Sequence, residues 1–221
     1  MIKKYCIVGF AILAGILTIF PKVDISFSSL FYLYPLDFVY KNHPVAVYIF
    51  RLVPIITGAF AAFCLVYIIY LALMRKKIAT SPALFLVITA ILGPGLTVNY
   101  ALKEHIGRAR PRDILEFHGD KAFTGALRPC NECRHNCSFP SGHAAMGYYF
   151  TAISYVVPEP YKTPAFLFGV GLGSIIGMGR IIQGGHFLSD VVFSGLIIMA
   201  VNHLCFLIWR NFRGKSKKKR K

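Results

Sequence analysis

Apolar blocks long enough to cross a lipid bilayer, separated by polar segments, constrain the fold of this chain more than any other feature. A spanning helix needs roughly 20 predominantly apolar residues, and 56% of the 221 residues are hydrophobic. The blocks predict six helical spans, at residues 5–20, 45–73, 82–102, 142–157, 165–178 and 187–209. The predicted fold class is therefore all-α, a six-transmembrane helix bundle forming one domain over residues 1–221.

Basic residues at the ends of these blocks set the predicted orientation. Lys3 and Lys4, the run from Arg75 to Lys77 and the tail over residues 210–221 all flank apolar blocks. Cytoplasmic flanks carry an excess of Lys and Arg. With six spans, both termini then face the cytoplasm. The loops at 21–44, 103–141 and 179–186 face the other side of the membrane.

The positive charge of the chain has a membrane explanation. A formal net charge of +16 would suggest nucleic-acid binding in a soluble protein. Here the charge lies at block ends and in the 210–221 tail, so we expect no nucleic-acid partner. Anionic lipids of the inner leaflet attract basic residues near the surface and are the expected partner of the tail. A specific partner for the tail is the alternative.

Three polar clusters at the ends of predicted spans carry the residue types that bind phosphate. They are Lys103 with Arg110-Pro111, Pro140-Ser141-Gly142-His143, and Arg180 with His186 and Asp190. The predicted topology brings all three to the same membrane face, although they are far apart in the sequence. Because ionisable side chains are costly near hydrocarbon, their convergence indicates a functional site.

The cations and one predicted helix start are the expected phosphate-binding groups. Lys103, Arg110 and Arg180 supply positive charge, and the planar fork of a guanidinium suits phosphate oxygens. Ser141 and the backbone amide of Gly142 follow a proline at the predicted start of a helix. Unpaired N–H groups and the helix dipole favour an anion at such a position.

Two histidines and one aspartate are the expected catalytic residues. His186 and Asp190 are four positions apart, so in a helix they share a face and the carboxylate can orient and polarise the imidazole. The other ring nitrogen is then free to attack phosphorus, and His143 remains as the acid for the departing oxygen. A lone His at a helix end is more often a surface residue. Two on one membrane face beside phosphate-binding groups favour hydrolysis of a phosphomonoester.

These motifs resemble the three-part signature of the type 2 phosphatidic-acid phosphatase (PAP2) superfamily, whose fold is shared with vanadium haloperoxidases. The resemblance implies that His186 becomes phosphorylated, that Asp190 orients it and that His143 protonates the leaving group, while the cations, Ser141 and Gly142 hold the phosphoryl group. It also implies an enzyme without metal or cofactor, in agreement with the lack of a clustered Asp/Glu motif. The family's third motif usually begins with Ser where this chain has Gly179. The missing hydroxyl is expected to slow or retune the reaction without abolishing it.

Shorter segments narrow the resemblance. Residues 93–99, 137–139 and 183–187 are similar to bacterial lipid A phosphatases, particularly the 4′-phosphatase branch. This similarity implies a phosphorylated lipid substrate, lipid A, handled at the periplasmic face of the bacterial cytoplasmic membrane. Undecaprenyl pyrophosphate and phosphatidylglycerol phosphate are alternative substrates, and a lipid phosphotransferase would carry the same residues. A phosphate-lipid transporter is the non-enzyme alternative, although it needs no reactive His pair. The sequence does not predict the oligomeric state.

Cysteines in the 103–141 loop form a separate pattern. Cys130, Cys133 and Cys137 lie in a polar segment that faces an oxidising compartment in the predicted topology. That setting favours one disulfide with one cysteine left over. A zinc site that includes His135 and a set of free thiols are the alternatives, and the sequence does not reveal which two cysteines pair.

Two further patterns concern packing. The loop at 21–44 is rich in Phe and Tyr, which predicts an interfacial helix or collar beside the site, with a plain extended connection as the alternative. Gly169, Gly173 and Gly177 recur every four residues in the fifth predicted span, which predicts close helix packing.

Overall fold

The computed structural model describes residues 2–35 and 37–218, without the side chains of residue 49 and residues 214–218. The predicted lipid contacts of the basic tail therefore fall largely outside the described residues.

The α-helices are α1 (Ile2–Ile19), α2 (Lys22–Ser29), α3 (Pro44–Leu73), α4 (Pro82–Ala90), α5 (Lys103–Ile106), α6 (Gly142–Tyr149), α7 (Glu159–Ile182) and α8 (Leu188–Lys218). A hairpin of β1 (Tyr32–Leu33) and β2 (Asp37–Phe38) is antiparallel. A π-helical segment, Ile91–Leu102, joins α4 to α5, and 3₁₀ turns occupy Pro111–Asp113, Leu115–Phe117 and Phe150–Tyr155. The all-α prediction is confirmed.

Within the described residues, five helical segments are long and apolar enough to cross a membrane. They are Ile2–Ile19, Pro44–Leu73, Pro82–Asp113, Glu159–Ile182 and Leu188–Arg213. They correspond to five of the six predicted spans. The remaining prediction, at 142–157, covers α6 and the 3₁₀ segment Phe150–Tyr155. These two pieces together are shorter than the roughly 20 α-helical residues that a bilayer requires, so the count of six is approximate.

The helix α6 lies inside the bundle, where its neighbours hold it in place. It packs against α3, α7 and α8, and Tyr148 and Tyr149 are almost fully buried. The hydroxyl of Tyr149 donates to the Leu86 carbonyl of α4 at 2.9 Å. The Asn202 amide of α8 donates to Thr151 Oγ1 at 2.9 Å. By contrast, most side chains of α1 and α3 are exposed, as expected for helices that face lipid.

Glycines of α7 allow the close packing that their spacing predicts. A Cβ atom at Gly173 would lie 2.3 Å from the Tyr148 ring, and one at Gly177 would lie 2.3 Å from the Val191 side chain. A Cβ atom at Gly169 would lie 2.3 Å from the backbone of the 3₁₀ segment after α6. The three positions therefore hold α7 against α6 and α8, which places the last turn of α7 beside the starts of both helices.

The aromatic loop before α3 forms a packed collar. Its hairpin places the Phe38 ring 5.2 Å from the Phe117 ring and 5.4 Å from the Tyr32 ring, between centroids. A Cβ atom at Gly184 would lie 2.4 Å from Phe38, and Gly184 has a φ of +64°. The loop therefore covers the segment between α7 and α8, in agreement with the predicted collar.

The cysteine pattern resolves into one pair. Cys133 and Cys137 form a disulfide, and Cys130 is free, which agrees with one disulfide and one cysteine left over. Sulfur atoms in a disulfide offer no thiolate to a zinc ion. No group of three or more His, Cys, Asp or Glu among residues 2–35 and 37–218 is placed to hold a metal ion. The zinc alternative is therefore not supported.

Candidate active site

Hydrogen bonds join the three sequence clusters at one end of the bundle. The Ser141 backbone N–H donates to the Asp190 carbonyl at 3.2 Å, and the Ser194 hydroxyl donates to the Ser141 carbonyl at 3.0 Å. From the first cluster, Arg108 Nη1 donates to Asp190 Oδ1 at 2.5 Å. The structure thus brings together the segments for which the topology predicts a common membrane face.

The carboxylate of Asp190 is fully buried at the start of α8 and faces the His186 ring. Its Oδ2 atom accepts hydrogen bonds from the Phe187 backbone N–H at 2.8 Å and from the Ser138 hydroxyl at 2.5 Å. The same oxygen lies 3.6 Å from His186 Nδ1, which is longer than a hydrogen bond. Nδ1 has no hydrogen-bond partner among the described residues. Catalytic hydrogen bonds are often long before substrate binds, so this geometry suits a carboxylate that orients the imidazole.

His186 is held in its neutral form. Burial lowers the pKa of His186 to about 3; the Asp190 carboxylate opposes this shift, and the positive charges of Lys103 and Arg110 add to it. The ring is only 1% exposed. A nucleophilic imidazole must be unprotonated, so this environment supplies the reactive form throughout the physiological pH range.

We predict that acid destabilises the protein through His186. The pKa of the His186 ring is near 6.5 in the unfolded chain and about 3 in the folded chain. Between these values the unfolded state binds more protons, so the free energy of unfolding falls as the pH drops from about 6.5 towards 3. The Tm of detergent-purified protein should therefore decrease with acidification. His186→Gln should show a shallower decrease, and equal slopes for the two proteins would contradict the prediction.

Arg180, in the last turn of α7, is clamped between an aromatic ring and a glycine. Its Cζ atom lies 4.3 Å from the centroid of the Phe50 ring, and its Nη1 donates to the side-chain oxygen of Gln183. A Cβ atom at Gly185 would lie 2.6 Å from Arg180 Nη2, so a larger residue there would displace the guanidinium. The buried Nε of Arg180 has no partner among the described residues and remains available to an anion.

Arg110 and Lys103 are also buried cations. Arg110 donates through Nη2 and Nε to the Asn136 carbonyl at 2.6 and 3.2 Å. Lys103 is 6% exposed. In the described part of the chain, Lys103, Arg110 and Arg180 form no ion pair with a carboxylate. Burying a cation without a paired anion is costly, and three such cations indicate a site whose anion is the ligand.

The second motif begins a helix, as its sequence predicts. Ser141 is the N-cap of α6, and its hydroxyl oxygen accepts from the Ala144 backbone N–H at 3.4 Å. A Cβ atom at Gly142 would lie 2.4 Å from Asn99 Oδ1, so a larger residue there would displace the Asn99 amide. Asn99 is held in turn by its hydrogen bond to the Pro94 carbonyl at 2.7 Å. The π-helical segment therefore sets the position of the motif.

Phe50, which was not predicted from the sequence, links His143 to Arg180. The His143 ring stacks on Phe50 with centroids 4.2 Å apart, and Arg180 packs on the same ring. Phe50 therefore positions the predicted acid beside a predicted phosphate ligand. Its only signal in the sequence is its place near the start of the second predicted span.

The buried pair of Arg108 and Asp24 was not predicted from the sequence either. Arg108 lies within the first motif, and Asp24 lies in α2; both are fully buried. The amino-acid composition could have indicated this pair. The whole chain has only nine acidic residues, and an acid flanked by apolar blocks requires a partner.

Comparison with known proteins identifies the family. Residues 82–214 match the model of the PAP2 superfamily, which is more than half of the chain and contains every predicted site residue. The chain belongs to the PAP2 superfamily. Phe50 and Asp24 lie before the part of this PAP2 protein that matches the family.

Curated relatives of this PAP2 protein are named as lipid A phosphatases. It is 40% identical over 126 residues to the lipid A 4′-phosphatase of Francisella tularensis subsp. novicida, covering 56% of this chain and 57% of the relative. It is 34% identical over 113 residues to the lipid A 4′-phosphatase of Rhizobium leguminosarum, covering 51% and 48%. A lipid A 1-phosphatase of Rhizobium etli is 35% identical over 105 residues, covering 47% and 40%. The matches thus span roughly half the length of these relatives. No solved structure matches the chain.

Proposed function

We propose that this PAP2 protein is a membrane phosphatase that hydrolyses a phosphomonoester of lipid A, with the 4′ phosphate favoured. The observation that carries the proposal is a set of three buried cations, Lys103, Arg110 and Arg180, for which the described residues supply no carboxylate partner. They lie near His186, which burial keeps neutral and which faces Asp190. Such a site has positive charge for an anionic headgroup and an unprotonated nucleophile for phosphorus.

In the proposed mechanism, His186 Nε2 attacks phosphorus while the bond from phosphorus to the lipid oxygen breaks. His143 enters this step protonated, which the negative charge of the bound phosphate favours. It donates that proton to the departing oxygen and becomes neutral, while the cations stabilise the charge on the equatorial oxygens. Water then attacks the phosphohistidine and loses a proton to His143. The N–P bond breaks, which releases inorganic phosphate, frees the His186 imidazole and leaves His143 protonated for the next turnover. Asp190 holds the His186 ring in orientation during both steps.

An apolar cavity supports a lipid substrate. It has a volume of about 280 Å³ and adjoins Arg180, between the start of α3 and the end of α7. Both helices belong to segments of bilayer-spanning length, so a chain in this cavity can continue into the surrounding lipid. A lipid whose phosphate is bound by Arg180 would therefore keep its acyl chains in an apolar environment.

The relatives and the basic flanks support the finer assignments. Lipid A 4′-phosphatases of three organisms match the chain, and the lipid A 1-phosphatase matches a smaller part of it. With Lys3, Lys4 and the 210–221 tail in the cytoplasm, the site lies at the periplasmic face of a bacterial cytoplasmic membrane. The tail then meets anionic lipids of the inner leaflet.

The proposal is tested by a substrate panel on detergent-purified protein. The panel contains lipid A phosphorylated only at the 4′ position or only at the 1 position, undecaprenyl pyrophosphate and phosphatidylglycerol phosphate, with released inorganic phosphate as the readout. We expect the fastest release from the 4′ monophosphate. A preference for another lipid would overturn the lipid A assignment. Transfer of phosphate to an added acceptor lipid in place of water would overturn the hydrolase assignment. The absence of phosphate release from every lipid of the panel would overturn the proposal that the protein is a lipid phosphatase.

A further inference from the structure

A chain of buried charges runs from α2 to the proposed catalytic carboxylate. Arg108 Nη2 donates to Asp24 Oδ2 at 2.8 Å, and Arg108 Nη1 donates to Asp190 Oδ1 at 2.5 Å. All three side chains are 0% exposed. The guanidinium is a rigid planar fork, so carboxylates bound to its two ends have fixed positions relative to each other.

Further contacts fix Asp24 and Arg108 from other directions. Arg108 Nε donates to the Thr124 carbonyl at 2.8 Å, and the Arg108 guanidinium lies 4.2 Å from the Phe187 ring centroid. The Ser189 backbone N–H donates to Asp24 Oδ1 at 2.9 Å, and the Ser189 hydroxyl donates to Asp24 Oδ2. Asp24 therefore accepts from the first turn of α8, next to the catalytic carboxylate, where the helix dipole favours a negative charge.

The sharing of one guanidinium between two carboxylates affects the charge that His186 experiences. The Asp190 carboxylate faces His186 Nδ1 across 3.6 Å. If Arg108 were paired with Asp190 alone, its positive charge would offset the negative charge of that carboxylate. Asp24 offsets the arginine from its other end, and electrostatic effects of this kind are large for buried groups. Removing the Asp24 charge would make the surroundings of the imidazole more positive and weaken it as a nucleophile.

We propose that Asp24 and Arg108 are positioning residues for the reaction, acting through Asp190 on His186. This inference rests on the proposed phosphatase function and extends it to α2, which lies before the 82–214 region that matches the family. The segment that supplies Asp24 is then part of the catalytic machinery, in addition to its place between the first two spanning helices.

The first test is Asp24→Asn, which removes the charge while retaining the shape of the side chain. We expect kcat to fall on the order of tenfold, as is typical of groups that orient a reactive residue indirectly, with little change in KM. The matched control is Asp120→Asn, because Asp120 is an exposed acid that pairs with Lys121 at 3.1 Å. The control should keep the wild-type kcat.

A double-mutant cycle tests whether Asp24 acts through Arg108. Asp24→Asn, Arg108→Lys and the double variant are compared by kcat per folded molecule, with the folded fraction measured by size-exclusion chromatography and Tm. Residues of one network show non-additive effects, so the double variant should lose less than the product of the single losses. Independent losses that multiply, or a lower Tm with unchanged kcat, would reduce Asp24 to a structural role and overturn the inference.

The activity of the wild-type protein separates failure of the proposed function from failure of this inference. If the wild-type protein releases no phosphate and forms no phosphohistidine, the proposed function fails. If the wild type is active and Asp24→Asn keeps its kcat, only this inference fails. Should Asp24→Asn not fold, Ser189→Ala removes the hydroxyl that donates to Asp24 and accepts from Arg108 Nη1 at 2.8 Å, without leaving a buried charge unpaired. It should then lower kcat in the same direction by a smaller factor, and an unchanged kcat would overturn the inference.

Discussion

Phosphate release from the lipid substrate should fall by at least about 10⁴-fold when His186 is replaced by Gln, because the variant has no group that can form the N–P bond. Gln is close to His in size and polar, and the ring it replaces is 1% exposed beside Asp190. The lost activity would therefore reflect chemistry more than packing. Initial rates on the 4′-phosphorylated lipid, with protein amount and Tm matched to wild type, provide the measurement.

The intermediate offers a second readout for the same variant. Wild-type protein incubated with radiolabelled lipid and quenched in alkali should retain label on the protein, since an N–P bond survives base, and His186→Gln should retain none. The control is His203→Gln, an exposed His further along α8 that contacts Tyr155, which should behave as wild type. Substantial turnover or labelling of His186→Gln would remove His186 as the nucleophile.

The convergence of the three motifs was predictable because the membrane restricts where charged residues can lie. Lys103, Ser141 and His186 each stand at the end of an apolar block, and the order of the blocks alone assigns them to one face. The start of α6 at Ser141 was predictable for a local reason, because Pro-Ser-Gly is a helix-start pattern. Local and topological rules were therefore sufficient for the residues that are expected to touch phosphate.

The supporting residues were not predictable, because their partners are remote in sequence. Arg108 meets Asp24 and Asp190, which are 84 and 82 positions away, and no periodicity relates them. Phe50 acquires its role only because α3 passes beside His143 and Arg180.

Asp190→Asn should lower phosphate release by about 10³-fold or more, the scale seen when the acid that orients a catalytic His is neutralised. The Asp190 carboxylate accepts from Arg108, Ser138 and the Phe187 backbone N–H while facing His186. An amide has a single acceptor oxygen and two N–H donors. It cannot accept all these bonds and also accept from the imidazole, so the ring loses its orientation.

The fold of this variant should nevertheless survive, because Arg108 keeps its ion pair with Asp24 at 2.8 Å. In the double variant Asp24→Asn/Asp190→Asn, by contrast, a fully buried Arg108 has no carboxylate partner. Breaking a buried pair in this way costs about 3–5 kcal/mol, so the double variant should have a much lower Tm or fail to fold. Single and double variants with equal Tm would contradict this account of Arg108. A single Asp190→Asn variant that folds yet keeps wild-type kcat would exclude Asp190 as the residue that orients His186.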